Sequence, residues 1–188
     1  HPFNSEMLLA ESPDSELFST GPLPVSRSGA STIRLLGELR QAIDQFELTL
    51  VYQPKFDLNT AAIVGVEALV RWPHPKRGLL APDEFLPLVR RYGLMGSITD
   101  LVVNTALDDV LRWRAEGLTV PIAVNMFAPS MADLRLPGKF AKSLASRNIS
   151  PSQLTVEITE DLFLDNMDRT KTVLNQLQDN GIRIAIDD

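Results

Sequence analysis

The sequence predicts an α/β fold in which short strands alternate with helices. Apolar runs at 121–125, 154–158 and 182–186 are separated by segments whose apolar residues recur at helical spacing. Strands that alternate with helices in this way form parallel βαβ units, which is the main reason for the prediction. The composition agrees, because 44% hydrophobic and 22% charged residues over 188 positions suffice to build one buried core.

Residues 1–30 precede the predicted fold. They carry prolines among Ser, Gly and acidic residues without periodicity, and we interpret them as a linker, a tag remnant or the tail of a preceding module. A helix is then predicted to begin at 28–31, because apolar residues between Ile33 and Phe46 recur at helical spacing.

Two β-prone runs follow, at 48–53 and 63–69. Pro54 is expected to close the first run, and Asn59 with Thr60 can form a turn between the two. The sequence therefore predicts that the two runs pair as a hairpin.

Two helices are predicted after the hairpin. Pro82 and the acids behind it favour a helix N-terminus, and this helix is expected to stop at Gly93. Ser97 or Thr99 is expected to cap the next helix, which should end near Gly117. Further helices are predicted at about 140–146 and 166–178.

Composition and charge exclude several classes of function. The net charge of −6 does not favour binding of a nucleic-acid polymer, so a small anionic ligand would need local cations or metal ions. The sequence has no cysteine, which excludes disulfides, thiolate zinc sites and cysteine nucleophiles and fits a cytoplasmic setting. No apolar run approaches the length of about 18 residues that a membrane span requires.

Polar side chains are expected near the ends of four predicted strands. Glu67 lies late in its β-prone run, and Asn125, Glu157 and the pair Asp187-Asp188 end the next three strands. In a parallel α/β barrel the carboxyl ends of the strands open onto one face, where active sites of this architecture lie. Clustered carboxylates repel one another unless cations neutralise them, and Mg²⁺ or Mn²⁺ prefer such oxygen ligands. A two-metal site of this kind suits the attack of water on a phosphodiester.

Several of these polar and aromatic positions also have a purely structural interpretation. A single acid after a strand is often a helix cap or a turn residue. His74 lies in a loop rich in Pro and Gly and is interpreted as a surface residue, while Trp72 and Trp113 are expected in the core or between helices. Arg71 is open between a surface ion pair and a contact to a substrate phosphate.

The segment Glu67-Ala68-Leu69-Val70-Arg71-Trp72 resembles the signature of the EAL domain family of cyclic di-GMP phosphodiesterases. The resemblance extends over roughly residues 35–188 and includes Tyr52-Gln53-Pro54, His74-Pro75 with Gly78, Pro82-Asp83-Glu84-Phe85-Leu86-Pro87, Val124-Asn125, Val156-Glu157-Ile158-Thr159-Glu160 and Ile186-Asp187-Asp188. It implies a TIM-like (β/α)8 barrel with one antiparallel strand, of which this chain holds only about the first five strands. Residues 31–188 would then be the N-terminal part of an EAL domain. The natural protein is expected to continue beyond Asp188, and this chain alone is expected to be inactive.

The resemblance also implies an activity, the hydrolysis of cyclic di-GMP to linear pGpG with Mg²⁺ or Mn²⁺. Glu67 would be a catalytic residue and a metal ligand, Asn125, Glu157 and Asp187 would be further ligands, and Asp188 would serve a second metal. The alternative is an EAL-like receptor or regulatory module that binds cyclic di-GMP without hydrolysing it. A homodimer and an adjacent diguanylate cyclase or sensor domain, in the bacterial cytoplasm, are further associations that the resemblance implies.

The resemblance assigns ligand contacts as well. Gln53 would lie on the guanine side of the pocket, Leu69 and Arg71 would contact the ligand, and Glu160 would steady the loop after the paired aspartates. The sequence departs from the family pattern at two places outside these residues. Phe127 stands where the family usually has serine, and Arg90-Arg91 replace common acids.

Overall fold

The computed structural model describes residues 27–159 and 167–187. Within these ranges the chain forms six helices and six strands, which are α1 (Arg27–Asp44), β1 (Thr49–Phe56), β2 (Ile63–His74), β3 (Gly78–Leu80), α2 (Pro82–Arg91), α3 (Met95–Ala115), β4 (Ile122–Met126), α4 (Ala128–Met131), α5 (Leu136–Ser146), β5 (Leu154–Thr159), α6 (Met167–Asp179) and β6 (Arg183–Asp187). A single 3-10 turn, Pro151–Gln153, leads into β5.

One twisted sheet organises the described chain, with the strand order β1-β2-β4-β5-β6. Strands β2, β4, β5 and β6 run parallel, whereas β1 pairs antiparallel with β2 at the edge and β3 pairs antiparallel with the far end of β2. Helices connect the parallel strands, as βαβ units require. The predicted α/β class is confirmed, and the arrangement is that of a partial TIM-like barrel. The resemblance implies one antiparallel strand, whereas two of the described strands, β1 and β3, run antiparallel to β2.

The hydrophobic core lies between this sheet and the helices. Alternate residues of each strand face it, as the two-residue period of a strand dictates. In β4 these are Ile122, Val124 and Met126, while the residues between them lie on the opposite face of the sheet. The largest fully buried side chains come from strands and helices alike and include Trp72, Phe85, Ile98, Leu107, Phe140 and Leu154.

The predicted hairpin is confirmed, but both strands are longer than predicted. Strand β1 continues through Pro54 to Phe56, and Pro54 is paired in register with Val66. An edge strand tolerates proline because one side of its backbone needs no hydrogen-bond partner. The turn is capped by Asp57, whose Oδ1 accepts hydrogen bonds from the backbone amides of Asn59 and Thr60 at 2.9 and 2.8 Å.

The predicted cap of α3 is wrong. The helix begins at Met95, and Leu94 precedes it without a side-chain hydrogen bond. Thr99 is instead buried inside the helix, where its hydroxyl lies 2.7 Å from the hydroxyl of Ser130 in α4. The helix ends at Ala115, close to the predicted stop at Gly117, which has a φ of +85°.

His74 is a core residue and not the surface residue that its loop-like sequence predicts. Only 4% of it is exposed, its ring packs edge-on against Trp72, and its Nδ1 accepts the backbone amide of Lys76 at 3.1 Å. The Nε2 atom therefore carries the hydrogen and donates it to Glu38 of α1 at 3.0 Å. This hydrogen bond lowers the pKa of the Glu38 carboxyl. Trp72 is buried in the core, and Trp113 packs partly buried on α3, as expected.

A hydrogen bond also links the edge strand β1 to helix α3. The hydroxyl of Tyr52 in β1 donates to Oδ2 of Asp109, which also pairs with Arg112. The ring of Tyr52 packs edge-on against Trp113 with ring centroids 4.7 Å apart.

Across the described residues, none of the helices is both long enough and apolar enough to pass through a membrane.

Candidate functional site

The candidate site lies on the face of the sheet opposite the helices. Glu67 of β2 and Asn125 of β4 both project from this face, and Asn125 Nδ2 donates to Glu67 Oε1 at 2.7 Å. The prediction that Glu67 lies late in its strand is wrong, because β2 continues to His74. Its parallel pairing with β4, however, runs only from Val66 to Ala68, so the extension beyond this point pairs with β1 and β3 instead.

Glu157 is the buried carboxylate of this face. It is paired in register with Asn125 on the neighbouring strand, and only 5% of it is exposed. Its Oε1 forms an ion pair with Lys55 Nζ from β1. Its Oε2 is also buried and has no hydrogen-bond partner among the described residues. A buried carboxylate oxygen without a partner is costly in free energy, so this atom is an open ligand position.

The donor set of this face fits a hard divalent cation. Glu67, Asn125 and Glu157 offer only carboxylate and carboxamide oxygens, which Mg²⁺ and Mn²⁺ prefer. The described side chains by themselves hold no group of three His, Cys, Asp or Glu that could bind a metal ion. Strand β6 ends at Asp187, next to the carboxyl end of β5, so its backbone reaches the same edge of the sheet. The side chain of Asp187 lies outside what the structure describes, as do residues Glu160 and Asp188.

The predicted ligand-contacting residues lie on the same face as Glu67. Gln53 is directly opposite Glu67 in the β1–β2 ladder and is exposed. Leu69 and Arg71 follow Glu67 at intervals of two along β2, so all three share a face. Arg71 is half-buried, and its Nη1 donates to the carbonyl of Val70 at 2.9 Å. In the described parts of the chain Arg71 has no ion pair, so the surface-pair interpretation finds no support there.

A small cavity opens beside the predicted ligand contacts. Its volume is about 190 Å³, and Leu69, Asn125 and Phe127 contribute to its wall together with Asp83 and the start of α2. Phe127, which departs from the family pattern, thus forms part of the wall of this cavity. The guanidinium of Arg90, the other departure, stacks 5.8 Å from the centre of the Phe127 ring.

A larger cavity of about 550 Å³ lies elsewhere, among the starts of the later helices. Its charged residues are largely paired with one another, Arg135 with Asp133 at 2.9 Å and Lys139 with Asp100 at 3.0 Å. The guanidinium of Arg135 lowers the pKa of the Asp133 carboxyl. None of Glu67, Asn125 and Glu157 lines this larger cavity, so it is not the candidate site.

Sequence reasoning missed Lys55. It lies two residues after Gln53 and opposite Gly65 in the hairpin ladder. A strand that alternates as β1 does places Lys55 on the same face as Gln53, so the register of the hairpin would have identified it.

Comparison with known proteins places this geometry in a family. The EAL domain family matches residues 36–188. The bifunctional diguanylate cyclase/cyclic di-GMP phosphodiesterase MucR of Pseudomonas aeruginosa is 37% identical over 157 residues, which cover 83% of this chain and 23% of that protein. Another protein of that organism, named as a cyclic di-GMP phosphodiesterase, is 34% identical over 166 residues, which cover 88% of this chain and 28% of that protein. The chain therefore spans about a quarter of the length of these curated relatives.

Solved structures agree with the sequence relatives. The structure of the MucR phosphodiesterase in complex with c-di-GMP matches with a TM-score of 0.77 at 37% identity, over 82% of this chain and 63% of that one. The EAL domain of FimX from Xanthomonas citri matches with a TM-score of 0.76 at 17% identity, over 85% of this chain and 62% of that one, a likeness of fold alone. Because the family match covers most of the chain and relatives above 30% identity cover more than four-fifths of it, the chain belongs to the EAL domain family.

Proposed function

We propose that the full-length protein hydrolyses cyclic di-GMP to linear pGpG in a reaction that depends on Mg²⁺ or Mn²⁺. The observation that carries the proposal is the oxygen-only set of Glu67, Asn125 and Glu157 on one face of the sheet, with Glu157 Oε2 buried and unpartnered among the described residues. Relatives named as cyclic di-GMP phosphodiesterases support a hydrolase that acts on this dinucleotide.

In this proposal the strand-borne acids hold the metal. Glu67, Asn125, Glu157 and Asp187 bind one cation, and Asp188 contributes to a second. A bound divalent cation polarises a phosphoryl oxygen and makes water a stronger nucleophile at neutral pH. Asn125 has a positioning role of its own, because its amide holds Glu67 Oε1 at 2.7 Å and fixes the orientation of that carboxylate.

The remaining predicted residues bind and orient the dinucleotide. Arg71 contacts a phosphate, for which its guanidinium is suited because it has no ion pair in the described chain and its charge is always present. Leu69 supplies apolar contact from the wall of the cavity, and Gln53 lies on the guanine side. Glu160 steadies the loop that follows the paired aspartates.

A turnover assay tests the proposal directly. The purified full-length protein is incubated with cyclic di-GMP and Mn²⁺ or Mg²⁺, and the formation of pGpG is followed by chromatography. Substitution of groups that merely orient metal ligands typically costs 10–100-fold, so Glu67→Gln, which alters a ligand itself, should lower turnover by about 100-fold or more. Glu116→Gln, an exposed glutamate at the end of α3, is the matched control and should retain parental turnover.

The assay also separates the two candidate functions. Binding of cyclic di-GMP without product, at any concentration of divalent cation, would support the receptor instead of the enzyme. Full turnover in Glu67→Gln would contradict the metal assignment, and turnover that persists after chelation of the metal would contradict metal dependence.

A further inference from the structure

Lys55 reaches across the sheet to the buried carboxylate of the candidate site. It lies on β1, whereas its partner Glu157 lies on β5, and two strands separate them in the sheet. The ion pair is therefore a contact across the face of the sheet that carries the candidate site, and not a contact between adjacent strands. It joins the edge of the sheet to the strand that carries the most deeply buried acid of the site.

The sequence leaves room for this reach. Gly65 is paired with Lys55 in the hairpin ladder and presents no side chain. A Cβ atom at Gly65 would lie only 3.2 Å from the carbonyl oxygen of Pro121, so the sheet around Gly65 is closely packed. Ala123 of β4 is paired in register with Glu67 and lies on the same face of the sheet. A cavity of about 140 Å³ remains on this side and is lined by Lys55, Gly65, Ala123, Glu157 and neighbouring residues.

The charge of Glu157 requires such a partner. Burying an ionised carboxylate is costly unless it is paired and hydrogen-bonded. Arg183 lines the same cavity, but in the described residues Lys55 is the one cation that forms an ion pair with Glu157. Lys55 itself keeps 41% of its side chain exposed, so it retains part of its hydration while it neutralises the buried acid. Oε1 is thereby occupied and Oε2 is left for another ligand.

We propose that Lys55 is a positioning residue of this site, which holds Glu157 through Oε1 and balances its charge when no divalent cation is bound. The part of this proposal that concerns the divalent metal ion rests on the proposed function. An ammonium group on the same carboxylate repels an incoming metal ion while it stabilises the metal-free site. Lys55 and the metal ion therefore oppose each other energetically, although both bind Glu157.

A double-mutant cycle in metal-free protein tests the positioning role. Urea unfolding is measured with a chelator present for the parent, Lys55→Met, Glu157→Gln and the double variant. Lys55→Met should raise the unfolding equilibrium constant in the parent by at least tenfold more than it does in the Glu157→Gln background, because the pair is already broken there. Lys55→Arg, which keeps the charge, should preserve most of the coupling, and Lys142→Met, an exposed lysine on α5, is the control. An equal effect in both backgrounds would overturn the positioning role.

A thermal titration with Mn²⁺ tests the opposition between Lys55 and the metal ion. The rise in Tm that saturating Mn²⁺ produces should be larger in Lys55→Met than in the parent, and calorimetry should give a severalfold lower Kd for Mn²⁺. A purely structural lysine would lower the Tm with and without metal by the same amount, and that result would refute the opposition. If Lys55→Met does not fold, Lys55→Gln replaces it in both experiments. A parent that shows no response to Mn²⁺ would contradict the proposed function together with the metal part of this inference, while the cycle would still decide whether Lys55 positions Glu157.

Discussion

The hydroxyl of Tyr52 links the edge strand that carries Gln53 and Lys55 to helix α3, and its removal measures how firmly that strand is held. Tyr52→Phe keeps the ring and its packing on Trp113 and deletes only the hydrogen bond to Asp109. A hydrogen bond to a charged group contributes about 1.5–3 kcal/mol; because Arg112 still pairs with Asp109, the expected loss is about 1–2 kcal/mol. For a domain of this size, that loss lowers Tm by about 2–8 °C.

The pH dependence of the same variant gives a second, independent measurement. Burial raises the pKa of Tyr52 to about 12, against a smaller opposing effect of Arg112. A tyrosine whose pKa is raised on folding contributes stability below its ordinary pKa of about 10 and loses that contribution as the pH rises through its folded value. The difference in stability between parent and Tyr52→Phe should therefore be constant at neutral pH and narrow above about pH 10.

Two assays decide the matter. Urea unfolding at several pH values gives the free energies. Because the sequence has two tyrosines, the difference between the ultraviolet titrations of parent and variant isolates the phenol of Tyr52. A loss of less than about 0.5 kcal/mol, the lower limit for an intramolecular hydrogen bond, would refute the reasoning. So would a titration midpoint at the ordinary pKa of tyrosine.

Three further predictions follow from contacts away from the site. Asp57→Ala should lower the Tm at neutral pH, because hydrogen bonds from the backbone amide and hydroxyl of Thr60 lower the pKa of Asp57 in the turn after β1. A lowered carboxyl pKa contributes stability above its ordinary value of 3.8 and loses it as the pH falls through the folded value, so melts at acid pH should show no difference; a difference that persists there would contradict the cap. Thr99→Val should cost about 1–3 kcal/mol in urea unfolding, because it takes away the 2.7 Å hydroxyl contact of the buried Ser130, and an unchanged stability would argue against that contact. Leu107→Ala should cost about 2–5 kcal/mol in the same assay, because Leu107 is fully buried; a cost below 1 kcal/mol would place it outside the core.

The larger elements of the fold could be predicted because their patterns are long and periodic. The hairpin, the helices α1, α2, α5 and α6 and the three later strands all carry enough apolar residues at one period to be recognised. Strand β3 and helix α4, with three and four residues, are too short to show any period. The sequence predicts the wrong start for α3, because Thr99 is a good capping residue but its hydroxyl contacts Ser130 in the core instead.

The sequence predicts the carboxylates and the carboxamide of the candidate site, but it does not predict the lysine that pairs with Glu157. Glu67, Asn125 and Glu157 are polar residues within apolar runs, and such interruptions are visible in the sequence alone. Lys55 interrupts nothing, because lysines are common on edge strands, and its role depends on a strand far away in the sequence. The burial of His74 was hidden for the same reason, since Glu38 and Trp72 approach it only in the folded chain.

The ion pair between Lys55 and Glu157 joins residues that are 102 positions apart, whereas the two strands of the hairpin are joined by a short turn. Closing a small loop orders few residues, but a contact over such a separation requires the intervening chain to be ordered first. We therefore expect the hairpin to form early in folding and this ion pair to form late, once β5 has docked beside β4. Interactions that are absent from the folding transition state mainly slow unfolding. The electrostatic completion of the site should thus govern how long the folded chain persists, and not how quickly it folds.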